Sequence, residues 1–261
     1  MNRRIQQNFK GRWVNFCKIG IFLAPLVFIF TIICVKLRAK GWYNMLVRED
    51  GPFEVLTALA YLVGCIVAFS MAKEFYRQKS LFWGIAYISL SIGFLFICLE
   101  EISWGQRILK MSTPQFFEEH NYQKEINLHN LAGRYLLHGA YIIVGGYGTF
   151  GRVIVEKLLP GRFKAFADLF VPYWFLITYF FPIFLLYLYY DYLSAMLVTL
   201  FGSYLGWDRL GNSFIIGRDQ ETAEFILSLG FMLFVGINRW RLKARDFSSI
   251  VQAHKQKIPF V

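Results

Sequence analysis

Residues 81–107 read LFWGIAYISLSIGFLFICLEEISWGQR, and from Leu81 to Leu99 no side chain carries a charge. An uncharged run of that length suits a helix crossing the roughly 30 Å of hydrocarbon in a bilayer. It ends in two adjacent acids, Glu100 and Glu101. A carboxylate at the edge of hydrocarbon is costly unless it is paired, bound to a cation or protonated, so such residues are functional candidates.

The rest of the chain is of the same kind. Of its 261 residues 56% are hydrophobic and only 17% are charged, with a mean hydropathy of +0.42. A soluble domain carries about 25% charge, so the class is an all-α, polytopic transmembrane helix bundle. The net charge of +11 is explained by basic cytoplasmic loops, and no motif points to a nucleic acid. Cys17, Cys34, Cys65 and Cys98 lie in or beside apolar runs without paired spacing, which fits packing and not a disulfide or metal framework. Basic residues precede the apolar run Ile19–Val35, which exceeds a signal-peptide core and has no cleavage pattern after it. An uncleaved first helix is expected.

Six membrane helices are expected, at about 19–37, 53–72, 81–100, 135–155, 167–188 and 221–240, with an outer polar loop over 101–134, all in one integral membrane domain spanning 1–261. The stretch from Phe166 to Trp207 is too long for one crossing and barely enough for two, so residues 192–206 are either an interfacial segment or a seventh helix. With six helices and both termini cytoplasmic in the plasma (inner) membrane, eighteen of 28 Lys and Arg lie inside and thirteen of 17 acids outside. Lys36, Arg38, Lys40 and Arg48 run against this orientation, but a seventh helix would put the basic C-terminus outside.

This topology brings acids from three helices to one end. The second helix begins after Glu49, Asp50 and Gly51, with Pro52 at its first position, and Glu54, Thr57 and Tyr61 continue a polar stripe. The third ends in Glu100 and Glu101; Glu100 is favoured as the inward one, because Ser103, Trp104 and Arg107 share its face if the helix continues. The last begins with Asp219, Glu221 and Glu224. The helix dipole alone accounts for Asp50, Asp219 and Glu221 but not for Glu54, Glu224 or the C-terminal Glu100 and Glu101. In the outer loop Pro114 signals a short interfacial helix ending near His120 and Asn121. An extended segment would then place Gln123, Glu125, Asn127 and His129 on one face.

The motifs EDGPFEVLTALAYL at 49–62, LEEISWGQRIL at 99–109 and N-x-Q-x-E-x-N-L-H-N at 121–130 resemble a group of uncharacterised bacterial multi-pass membrane proteins over about the first half of the chain. That resemblance implies no particular activity. A second likeness is to the alkaline ceramidase superfamily of membrane hydrolases, which implies a metal site within the bundle. The sequence departs from that superfamily in having Glu221 and Glu224 where a zinc-binding H-x-x-x-H would stand.

Three functions compete. The first is a hydrolase or transferase acting on a lipid or lipid-linked substrate at the outer face. In it Glu54, Glu100, Glu101 and His129 are the catalytic candidates. Trp104, Gln106, Arg107, Asn127 and Asn130 meet substrate, and Glu54, Glu100, His129 and Glu224 hold a divalent metal ion. No H-E-x-x-H, G-x-S-x-G or P-loop supports a specific chemistry. The second is a proton-coupled transporter, suited by intramembrane acids and by Pro172 and Pro182. The third is a non-catalytic assembly protein.

Overall fold

A computed structural model describes residues 3–121, 124–128, 131, 134–158, 160, 167–189 and 218–243, and every regular element among them is helical. The helices are α1 (Arg3–Arg38), α2 (Lys40–Leu46), α3 (Pro52–Arg77), α4 (Leu81–Glu101), α5 (Gln106–Leu109), α6 (Gln115–His120), α7 (Arg134–Leu158), α8 (Ile177–Leu188) and α9 (Asp219–Lys243). Among the described residues five spans are long and apolar enough to cross a membrane: Val14–Arg38, Pro52–Arg77, Leu81–Glu101, Ala167–Leu188 and Asp219–Lys243. The protein is therefore a polytopic membrane helix bundle. Helix α7 has the length to cross but is less apolar, because its 25 residues include His138, Arg152, Glu156 and Lys157.

Most expected helices fall where periodicity and length put them, and the differences have local causes. Helix α1 begins well before residue 19, since nothing at the edge of hydrocarbon obliges a helix to stop. The short α2, packed through the buried Tyr43, was not foreseen. The expected fifth helix is broken: residues 167–170 make one helical turn, Tyr173 is extended, and Trp174–Leu176 form a 3₁₀ turn that leads into α8. Pro172 explains the break, since it lacks an N–H and keeps the residue before it out of the helical region. Residues 192–206 lie outside the described residues.

Packing follows the order α4, α3, α9, α8, α7, with α1 against α8 and α2. Among the described residues α4 and α7, the ends of that row, touch little. Aromatic rings fill the middle: Phe231 of α9 lies 5.5 Å from Phe94 of α4 and 5.1 Å from Phe180 of α8, centroid to centroid. Close approach of α7 to α8 depends on small residues, as in many membrane helix pairs. A Cβ on Gly145 would stand 2.8 Å from the Phe184 backbone nitrogen, and one on Gly148 would overlap the Phe180 ring.

At the end of the bundle away from the acids a polar network joins α4, α7, α9 and the 167–173 segment. Asp168 accepts from Arg152 at 2.5 Å and from Arg241 at 3.3 Å. Both guanidinium groups also lie over the Tyr173 ring, at 5.6 and 5.3 Å from its centroid. Buried Asn238 donates to the Tyr87 hydroxyl at 3.0 Å, and Tyr87 donates to the Leu169 carbonyl at 2.9 Å.

Candidate functional site

A cavity of about 470 Å³ lies between α3, α4, α7 and α9 at the acidic end of the bundle. Its size is that of a small-molecule site. Glu49, Glu54, Glu100, Glu101, Glu125, Glu221 and Glu224 line it, with Arg218 the only lining cation among the described residues. Arg218 is itself 3.4 Å from Glu49. Deeper in the bundle the wall becomes apolar through Leu90, Phe94, Val144, Leu227 and Phe231. The antiparallel order of the helices creates this gradient: α3 and α9 enter the membrane at this end and α4 leaves it there, so each contributes its polar terminus to one level.

The carboxylates are held differently. Glu54, in the first turn of α3, accepts from the Asp50 backbone N–H at 2.8 Å, which serves the helix start as well as the cavity. Glu100 is buried; its two oxygens accept from the Trp104 indole at 2.6 Å and from the Leu128 backbone N–H at 2.7 Å. It ties the loop that follows α4 back to that helix. Glu101 is partly buried on the cavity wall, and no described residue donates a hydrogen bond to it. Glu224 accepts from the Tyr187 hydroxyl of α8 at 3.1 Å. Both adjacent glutamates thus line the cavity, and Glu100 in addition holds the loop.

Helix α4 ends at Glu101, next to the expected bound at residue 100, so the shared face conditional on its continuing does not form. Ser103, Trp104 and Gly105 all have left-handed backbone, with φ of 46°, 54° and 78°. The chain therefore turns sharply, and Trp104 folds back on Glu100 from a tight turn instead of from the next turn of helix. Left-handed residues other than glycine cost about 1 kcal/mol or more each, so contacts must hold them. Ser103 donates to Glu125 and Trp104 to Glu100.

The loop is a folded cap. As expected, Pro114 precedes a short helix, α6, which ends at His120. Gln106 is buried: its oxygen accepts from Ile126 N–H at 2.8 Å and its amide donates to Thr113 at 2.7 Å. Buried Asn121 donates to the Asn127 side chain at 2.7 Å and to the Glu125 carbonyl at 2.8 Å. Residues 124–128 are bent and not extended, and Glu125 and Asn127 line the cavity.

Of the sequence-predicted site residues, Glu54, Glu100, Glu101, Glu224 and Asn127 meet in this cavity. Gln106 and Trp104 do not line it and serve the loop. His129, Asn130 and the side chain of Arg107 lie outside the described residues. His138 packs on the Tyr187 ring at 4.6 Å. Sequence reasoning passed over Tyr141, which lines the cavity, and Tyr187, which reaches Glu224. In an aromatic-rich chain neither tyrosine stands out. Among the described residues no group of three His, Cys, Asp or Glu is arranged to hold a metal ion. No protein-family model, curated protein or solved structure matches the chain.

Proposed function

We propose that this cavity is the substrate site of a membrane-embedded hydrolase or transferase whose substrate is a lipid or lipid-linked molecule with a neutral or cationic head. The observation that carries the reading is a single cavity that joins a ring of glutamates to an apolar wall within the bundle. An amphiphile matches that gradient, head among the carboxylates and chain along Phe94, Val144 and Phe231. An anionic head is disfavoured, since seven glutamates face it and the lining arginine is already beside Glu49. Glu101 and Glu224 act as the acid–base pair: from α4 and α9 they approach the head from two sides, and Tyr187 orients Glu224. Glu100 is a positioning residue that holds the loop over the site. By the distribution of basic residues the site faces away from the cytoplasm.

The test is to reconstitute the protein in nanodiscs of total membrane lipid and follow lipid turnover by mass spectrometry. Wild type is expected to convert one lipid class, and Glu101→Gln and Glu224→Gln to lose about 100-fold or more of that rate. A transporter would instead leave every lipid unchanged and dissipate a proton gradient in sealed liposomes, and that result would replace this reading.

A further inference from the structure

A second cavity, of about 240 Å³, lies beyond the first, lined by Ala86, Tyr87, Tyr147 and Phe170 among others. Leu90 and Phe231 line both, so the two cavities meet at these side chains. Phe231 is only partly buried there, although it packs on Phe94 and Phe180. The second cavity is apolar in effect. The Tyr87 hydroxyl is spent on the Leu169 carbonyl and the Asn238 amide, and the Tyr147 hydroxyl on the Phe170 carbonyl. Neither is left to draw in a polar solute or a chain of waters. An apolar cavity of about 150 Å³ takes one benzene, so this one has room for roughly ten carbons.

We infer that the second cavity receives the far end of the substrate's hydrocarbon chain, and that Leu90 and Phe231 form the narrow point that sorts chains by length. The inference rests on the amphiphile reading of the first cavity. Leu90 lies ten residues from Glu100, about 15 Å along α4. A chain shorter than that never reaches the narrow point, and a longer one must pass it. A chain entering the site leaves lipid and not water, so the gain from burial is small and selection works by steric exclusion.

The experiment measures binding of monoacylglycerols and of n-alkylamines, each a series of graded chain length, to the full-length protein in nanodiscs by native mass spectrometry. Wild type is compared with Ala86→Phe, which fills the second cavity, and Leu90→Trp, which blocks the narrow point; thermal unfolding confirms that both fold. The expected result is that wild type accepts long chains in at least one series. Both variants then lose long chains by about tenfold relative to short ones, which still bind. If chains bind but the length profile is the same in all three proteins, the second cavity is not the chain pocket, and the amphiphile reading stands. If wild type binds no member of either series, both readings fall.

Discussion

Adjacent glutamates take opposite parts in this protein, and the difference is one of hydrogen bonding. Both line the cavity, but both oxygens of Glu100 are engaged by Trp104 and Leu128, while no described residue donates a hydrogen bond to Glu101. Trp104→Phe removes a charge-assisted donor without changing the ring's apolar contact with Phe96. It should destabilise the loop after α4 by about 1–2 kcal/mol, seen as faster amide exchange at Leu128 before any change in global unfolding. Glu54, Glu101 and Glu224 were legible because an acid in an apolar run is anomalous wherever it occurs. That Glu100 and Glu101 would both line the cavity was not, because the answer depends on the backbone beyond them. The Gly at 105 was the visible sign of a left-handed turn, but the two residues before it, Ser103 and Trp104, have side chains that disfavour one and adopt it through tertiary contacts.

For whole elements the sequence was a better guide to membrane crossings than to their interruptions. Length and apolarity located α3, α4 and α9 within a few residues, because hydrocarbon thickness imposes those bounds. The break after residue 170 was visible only as Pro172, an interruption of the apolar stretch whose place in an expected helix over 167–188 left open where the helix would stop and restart. The pairing of α7 with α8 rests on small residues, and Gly148→Leu would force them apart at Phe180. A loss of at least about 1–3 kcal/mol is expected, read as a lower midpoint of unfolding in mild detergent, with Gly139→Leu as the control because nothing lies within 4 Å of its added Cβ.

On the scale of the molecule the two ends are separate devices. Asp168 lies at the end away from the glutamates, with its side chain 20% exposed between two arginines. Asp168→Asn leaves Arg152 and Arg241 facing each other and should cost about 1–3 kcal/mol of stability. Glu224 and Arg241 are seventeen residues apart on α9, about 25 Å. Combined with Glu224→Gln, the stability change should therefore add, because sites so far apart with no shared partner are independent. A denaturation series on the two single variants and the double variant checks this.

The order of packing, in which α9 sits between α3 and α8, bears on how the chain is made. The helix synthesised last among those described belongs in the middle of the row. Until it leaves the ribosome, the hairpin of α3 with α4 and the pair of α7 with α8 lack their shared neighbour, and the nascent bundle must hold a slot open for the newcomer. Glu221 and Glu224 arrive with it, so the acidic chamber is incomplete until this helix is in place. A chain released before Asp219 would carry Glu54, Glu100 and Glu101 into the membrane without the helix that closes the chamber around them.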